Sequence, residues 1–261
     1  MALRNGFATL GSCVAATLAL AIYILLRPGS SELFLILGLV AACILISYIV
    51  AASTATSPFG EFMRGWLVGV NAALNTILGY AIFSHLIDTS AGVIVACAIG
   101  ILNLLCVLAP VSQNSVYQGL ISYLNWFLPM SWPIIILGAL FYVVSFALHL
   151  LSGGKVAYLK MQDVGADWST GTLFMKGGLV ANLNYLDTAF NMGNFSFVDY
   201  KSGNWYKDHE AGHTLNLAAF GSLFHLIGAV DENVFRGANA YSERLAESNS
   251  SSGGSNISMW A

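Results

Sequence analysis

The sequence predicts a membrane protein that is mainly α-helical and carries a small α+β domain at its C-terminus. Three observations support this fold class. The chain has 261 residues, of which 57% are hydrophobic and only 9% charged, whereas soluble domains carry about 25% charged residues. Long apolar runs fill residues 1–152, and polar residues and glycines become frequent from Gly153 onward. A further apolar stretch near the C-terminus is preceded by two closely spaced histidines.

Five apolar runs are long enough to cross a bilayer as helices, which takes about 20 residues each. They cover residues 7–26, 33–52, 66–87, 91–108 and 132–151. A shorter run at 116–128 is followed by Pro129 and Pro133, which break a continuous helix. We interpret it as an interfacial or re-entrant helix, with a sixth span as the alternative. Residues 1–152 are therefore expected to form a transmembrane helical bundle of five or six helices in contact with membrane lipids.

The polar residues of these runs favour helix packing over transport. Asn71 and Asn75 lie one turn apart in the third run, where interhelical hydrogen bonds are their expected role. No Asp, Glu, Lys or Arg lies deep in any of the five runs. Transporters that couple to ions or protons usually need such residues near the membrane midplane. A channel or transporter is therefore the weakest of the functions considered.

Charged residues near the ends of the runs give conflicting signals about orientation. Arg4 and Arg64 favour a cytoplasmic N-terminus, and five spans would then place the C-terminal domain outside. Lys155 and Lys160 favour the cytoplasmic side for that domain, and a sixth span would reconcile the two signals. We expect an integral, multi-pass membrane protein with its C-terminal domain in the cytoplasm. The net charge of −3 gives no basic field for nucleic acid, so no nucleic-acid partner is expected.

Residues 153–248 are expected to form a membrane-proximal α+β domain. Alternating apolar residues predict short strands at 170–175, 179–186 and 195–200 in a small antiparallel sheet. Residues 206–230 predict a long apolar helix or a broken pair of helices, with Gly221 and Gly228 as places for a kink or close packing. A short polar helix is predicted at 241–248, and the Ser- and Gly-rich tail at 249–261 is expected to be flexible.

The most specific pattern in the chain is His209-Glu210-Ala211-Gly212-His213, an HExxH motif. Residues four apart lie on one face of a helix, so both histidines can direct an imidazole at one metal ion. The neighbouring Glu210 can take a proton from a water molecule on that metal. The motif therefore predicts a Zn²⁺ site with Glu210 as the catalytic base. The alternative is a helix whose two histidines make ordinary hydrogen bonds.

A third protein ligand is expected, because a catalytic zinc ion usually has three ligands and one open position for water. On a continuous helix His225 would lie about 18 Å beyond His213, so we expect it to be a hydrogen-bonded histidine on an apolar face. Glu243 is favoured because the helix at 241–248 can bring it to the motif, and Glu247 lies one turn later, where it can hydrogen-bond a ligand histidine. The alternatives to Glu243 are His225, Asp231, Glu232 and Glu247; a polar turn is the expected setting of Asp231 and Glu232.

HEAGH followed by Glu243-x-x-x-Glu247 resembles the gluzincin branch of the zincin metallopeptidases. The resemblance covers residues 209–247 and implies that His209, His213 and Glu243 bind zinc. It also implies that Glu210 is the general base and that Glu247 supports a ligand histidine. HEAGH is similar as well to the motif of site-2 intramembrane proteases, although the sequence has no clear HExxH inside an early transmembrane run.

The expected function is that of a membrane-anchored zinc peptidase acting on peptides or membrane proteins at or near the bilayer. Zinc would polarise the scissile carbonyl, and Glu210 would activate the attacking zinc-bound water. The predicted sheet either holds an extended substrate by main-chain pairing or serves as a scaffold for the metal helix. The alternative function is that of a non-catalytic membrane subunit of a larger complex, with a structural or vestigial metal site.

Overall fold

The architecture was taken from a computed structural model, which describes residues 2–26, 32–107, 115–183, 189–199 and 207–248. The tail at 249–261 lies outside the described residues. The helices are α1 Ala2–Leu26, α2 Leu33–Ser53, α3 Pro58–Leu86, α4 Thr89–Val107, α5 Ser115–Leu124, α6 Trp132–Ser152, α7 Leu179–Leu183, α8 Lys207–Val230 and α9 Tyr241–Ser248. The strands are β1 Met161–Asp167, β2 Thr172–Gly177, β3 Ala189–Met192 and β4 Phe195–Val198. The fold is therefore mostly helical with one small sheet, as the sequence predicts.

In the described part of the chain, five helices are long and apolar enough to cross a membrane, which suggests a membrane protein. Four of them lie in α1, α2, α3 and α6 and match predicted runs. The fifth is Asp208–Asn239, which covers α8 from Asp208 onward, whereas the apolar part described for α4 is the shorter stretch Thr89–Asn103. The fourth predicted run, 91–108, is helical in α4 over Thr89–Val107, and the side chains after Asn103 lie outside the described residues. The sequence prediction did not count Asp208–Asn239 as a span. Within the described residues, helix α5 covers 10 residues, Ser115–Leu124, whereas a membrane span takes about 20.

Helix α3 is central to the bundle, and α1 packs against it through small residues. A side chain at Gly65 would collide with the main chain of Ala8, and one at Gly11 would collide with that of Phe62. The Ser12 hydroxyl donates to the Gly65 carbonyl over 2.8 Å. Such close approach of two backbones is typical of helix packing in membranes. Helix α3 begins at Pro58, before the predicted run, and its first turns include Glu61 and Arg64, both fully buried.

The larger hydrophobic core joins the bundle to the C-terminal helices. It contains Tyr48 of α2, Leu67 of α3, Phe220 and Phe224 of α8, and Leu245 of α9. Residues on both sides of the predicted domain boundary thus share one core, while the boundary itself at residue 152 stays a prediction. A second core lies between α6 and the sheet and includes Ile135, Met175, Phe197 and Leu217. Helix α8 contributes to both cores, through Phe220 to the first and Leu217 to the second.

The sheet has the strand order β1-β2-β4-β3, and its pairing is mixed. Strands β1 and β2 are antiparallel, as are β3 and β4, but β2 and β4 run parallel. The prediction of an antiparallel sheet was therefore wrong. A parallel pair needs a crossover connection, and the chain between β2 and β4 contains α7 and the edge strand β3. The predicted strand at 179–186 lies in this crossover, where residues 179–183 are helical.

Two strands were not predicted from the sequence. Strand β1 lies at one edge of the sheet, is partly exposed along its length and contains Asp163, Gly165 and Asp167, so it lacks an alternating apolar pattern. Strand β3 has only 4 residues, and it joins β4 through the turn at Gly193 and Asn194. The predicted strand at 195–200 was confirmed for Phe195–Val198, which is buried along its whole length.

Helix α8 is a broken pair, as one of the two sequence interpretations had it. The break lies at Gly221, whose φ of 79° and ψ of 176° are not helical. A side chain there would collide with Oδ1 of Asn71. The Asn71 amide donates to the carbonyls of Ala218 and Ala219 over 3.1 and 3.0 Å. These carbonyls end the first half of α8, so Asn71 satisfies acceptors that the break leaves without a helical partner.

The loop before α6 holds the other side of the break. Ser222 donates its main-chain N–H to the Met130 carbonyl over 2.8 Å. The N–H of Met130 in turn donates to Oδ1 of Asn75 over 2.9 Å. Asn71 and Asn75, which are themselves in contact, therefore bind other segments of the bundle by hydrogen bonds. The predicted packing role of the two asparagines was confirmed.

Replacing Gly221 by alanine should destabilise the protein. A residue with a side chain at positive φ costs about 1–2 kcal/mol, and the new methyl group would also collide with Asn71. The melting temperature of the full chain in detergent should fall. Gly38→Ala is the matched control, because Gly38 lies in α2 with no atom near the position of a new Cβ. Equal melting temperatures for the two variants would contradict the break at Gly221.

Candidate metal centre

The two histidines of the HExxH motif lie on the first half of α8 and face the same point. Their Nε2 atoms are 3.2 Å apart, and the rings meet edge to face with centroids 4.9 Å apart. This follows from their spacing of one helical turn. Leu215 and Ala218, one turn further on, belong to the core that fixes this half of the helix. The sequence thus predicted the convergence of the two imidazoles.

Helix α9 brings the carboxylate of Glu243 to the same point. Its Oε2 lies 2.9 Å from His209 Nε2, and its Oε1 lies 3.2 Å from His213 Nε2. The three residues each offer a ligand atom, and these atoms all lie within 4.8 Å of one another. Among the described residues, His209, His213 and Glu243 therefore form a group that could hold a metal ion.

The geometry can be compared with that of a tetrahedral ion. Zinc bonds to nitrogen and oxygen are about 2.0–2.2 Å long, so ligand atoms at tetrahedral angles lie about 3.3–3.5 Å apart. The separations of 2.9 and 3.2 Å at this centre are only slightly shorter. Small outward movements would fit one ion between the three groups. The identity of the metal stays a prediction.

Glu247 lies one turn beyond Glu243 and contacts the outer side of His209. Its Oε2 is 3.0 Å from Nδ1 of that histidine. When Nδ1 carries the proton and donates a hydrogen bond to Glu247, the Nε2 lone pair faces the centre. This is the tautomer that a metal ligand needs. The structure thus places Glu247 where the sequence predicted a supporting carboxylate.

The surroundings of Glu243 favour its ionised form. Burial by itself would raise the pKa of its carboxyl, but the charge of His213 and hydrogen bonds from both histidines outweigh that effect. The pKa of Glu243 is therefore held well below its usual value. An ionised carboxylate is the form that binds a cation.

One side of the metal centre is more exposed than the other. The His209 and Glu247 side chains are 26% and 35% exposed, whereas His213 and Glu243 are 11% and 9% exposed. The more exposed side of the group is therefore that of His209 and Glu247.

Glu210, the predicted catalytic base, is 3% exposed. Its carboxylate interacts electrostatically with both His209 and His213. Its main-chain carbonyl accepts a hydrogen bond from the Asn191 amide over 2.9 Å. The same amide donates to the Thr214 hydroxyl over 3.2 Å. Strand β3 thus holds the turn of α8 that carries Glu210.

The small residues of the motif allow α9 to approach. A Cβ atom at Gly212 would collide with the main chain of Ala246. The Asn216 amide, one turn later, donates to the Ser242 carbonyl over 3.1 Å. Glycine at position 212 is therefore required by the close packing of α9, the helix that carries Glu243 and Glu247.

The alternative ligands take other roles. His225 donates through Nε2 to the Asn191 carbonyl over 2.9 Å, as expected for a hydrogen-bonded histidine. The carboxylate of Asp231 is bound by Tyr48, Tyr241 and Arg236. Neither Asp231 nor Glu232 belongs to the metal group found among the described residues.

The sequence did not reveal two contacts around the centre. The break at Gly221 turns the chain back, so the His225 ring lies 6.2 Å from that of His213 between centroids. A continuous helix would have kept the two far apart. Asn191 was missed as a support for Glu210 because β3 was not predicted. The glycine in the apolar run was the available signal for the first contact, and none was available for the second.

No protein-family model, curated protein or solved structure matches this chain. The resemblance to gluzincins therefore rests on the motif residues alone.

The zinc content of purified variants should depend on whether the substitution removes a ligand or a supporting contact. His213→Ala and Glu243→Ala should lose bound zinc, because each removes a ligand. Glu247→Gln should keep zinc but bind it about 10–100-fold more weakly, since it changes only a supporting contact. His85→Ala, at the far end of α3, is the control and should match the unmodified protein. Full zinc in Glu243→Ala, by elemental analysis and competition with a chelator, would contradict this ligand set.

Proposed function

We propose that the protein is a membrane-anchored zinc peptidase. The observation that carries the proposal is the set of three ligand groups with a more exposed side and a neighbouring carboxylate, Glu210. Two imidazoles and one carboxylate suit zinc better than magnesium or calcium, which prefer oxygen ligands. The gluzincin-like spacing of Glu243 and Glu247 supports the same assignment.

The residues of the centre have distinct roles in the proposed reaction. A bound zinc ion would supply a Lewis acid that polarises a carbonyl and lowers the pKa of water. Glu210 takes the proton from the attacking water and then passes it to the leaving amine. Glu247 keeps the His209 imidazole in its ligating tautomer through the contact at Nδ1. Burial of Glu210 strengthens its electrostatic interaction with the neighbouring groups.

The packing of α8 supports substrates at or near the membrane. The motif lies at the start of Asp208–Asn239, one of the long apolar stretches, and α8 shares a core with α2 and α3. A peptide bond that reaches the centre would therefore lie close to the lipid. We propose membrane proteins and membrane-proximal peptides as substrates. The side of the membrane, for which the sequence favours the cytoplasm, stays a prediction.

The contacts of the sheet support a scaffold role. Thr214 of α8 donates to the Gly193 carbonyl over 2.7 Å and contacts the Thr172 hydroxyl at 3.0 Å. Together with the bonds from Asn191, these contacts attach α8 to the β3–β4 hairpin and to β2. The Asn191 carbonyl already has a partner in His225. A substrate strand would have to pair elsewhere along β3.

One observation favours the alternative of a non-catalytic subunit within a larger complex. The contacts of Glu243 and Glu247 with the histidines are also hydrogen bonds, and they would attach α9 to α8 in the absence of any reaction. In that case the centre would be structural. The two functions differ in what Glu210 does, because it is needed for hydrolysis but not for holding α9.

The variant Glu210→Gln should keep its zinc and lose hydrolysis by at least about 100-fold, the usual contribution of a general base. The probes are labelled casein and a labelled single-span peptide in detergent micelles. Glu232→Gln is the matched control and should cleave normally. Undiminished cleavage by Glu210→Gln would reject the mechanism. A zinc-loaded unmodified protein that cleaves neither probe would favour the non-catalytic alternative.

A further inference from the structure

The start of α9 is held by two side chains from outside the metal centre. The Tyr48 hydroxyl of α2 donates to Oδ2 of Asp231 over 2.8 Å. The same oxygen accepts the main-chain N–H of Tyr241 over 3.2 Å. The Tyr48 hydroxyl also accepts the N–H of Ser242 over 3.3 Å. Tyr48 and Asp231 together satisfy the first two N–H groups of α9, which have no partner within the helix.

This arrangement is buried and fixed by ring packing. Tyr48 and Asp231 are 3% and 7% exposed. The Tyr48 ring meets the Tyr241 ring edge to face at 5.5 Å between centroids and the Phe224 ring at 5.1 Å. Oδ1 of Asp231 is 3.4 Å from Nε of Arg236. One tyrosine of α2 thus contacts both α8 and α9.

The position of Glu243 depends on these contacts. Helix α9 has 8 residues, and a helix this short does not persist without tertiary contacts. Glu243 follows Tyr241 by two residues, so its carboxylate moves when the start of the helix moves. Asp231 also places a negative charge at the helix N-terminus, where it is favourable.

We propose that Tyr48 and Asp231 are positioning residues for the metal centre, which set the place of Glu243 from outside the ligand group. The inference rests on the metal site of the proposed function. It couples that site to α2, one of the long apolar helices. The centre then takes its full ligand set only when α2 is packed against α8 and α9. The position of α2 in the bundle thereby sets the affinity for the metal.

The test measures Co²⁺ binding to the full-length protein in detergent, with the visible absorption of the bound ion as a report of its ligand geometry. Tyr48→Phe removes one hydroxyl group and keeps the ring. It should weaken Co²⁺ binding about 10-fold, the lower limit for loss of a supporting contact, and change the absorption spectrum. Asp231→Asn should have the same effects. Tyr123→Phe is the matched control, because its hydroxyl donates to the Trp168 carbonyl, in the turn between β1 and β2.

The outcomes separate this inference from the proposed function. Unchanged Co²⁺ affinity and spectrum in folded Tyr48→Phe and Asp231→Asn would overturn the positioning role, even if both melt at lower temperature. An unmodified protein that binds no Co²⁺ would instead overturn the metal centre itself. If Tyr48→Phe does not fold, Asp231→Glu replaces it, since the longer side chain keeps an acceptor but displaces it. Its unchanged affinity and spectrum would count equally against the inference.

Discussion

The contact of Glu243 with two histidines of α8 is the interaction on which the metal centre depends. The histidines lie together because of helical periodicity, but the carboxylate comes from a separate short helix. Four small or polar features allow that helix to approach: Gly212, Asn216, Gly228 and Ser242, which line the contact of α8 with α9. The carboxylate lies between the two imidazoles, with its oxygens 2.9 Å from Nε2 of His209 and 3.2 Å from Nε2 of His213.

The break at Gly221 connects this centre to the apolar bundle. Asn71 and Met130 bind the main-chain groups that the break exposes, so α8 can bend within a largely buried environment. The second half of α8 then packs on Tyr48 and ends at Val230, directly before Asp231. The break at Gly221 therefore returns the chain toward α2 and brings Asp231 to the start of α9, where it accepts the N–H of Tyr241. In a continuous helix the second half of α8 would extend along the axis of the first. The helix could then not carry the histidines of the metal centre and also pack on Tyr48.

The sequence predicted the features that arise from local periodicity. The apolar runs became α1, α2, α3 and α6, and the spacings of HExxH and of Glu243 to Glu247 indicated residues that the structure brings together. Features set by distant contacts were missed. The parallel pairing of β2 with β4 depends on the crossover, not on the pattern of either strand. The place of His225 depends on the positive φ of Gly221, which Asn71 stabilises from another helix. The sequence showed that Asp208–Asn239 is long and apolar, but it did not show that this stretch packs into the bundle.

X-ray absorption at the zinc edge of the purified full-length protein tests the metal centre most directly. Our account predicts four nitrogen or oxygen neighbours at about 2.0–2.1 Å, with the outer scattering of two imidazole rings. His213→Ala and Glu243→Ala, which should lose bound zinc, should give no zinc-edge signal above background. Sulfur neighbours at about 2.3 Å, or a shell of six oxygens without imidazole, would contradict a centre built from His209, His213 and Glu243.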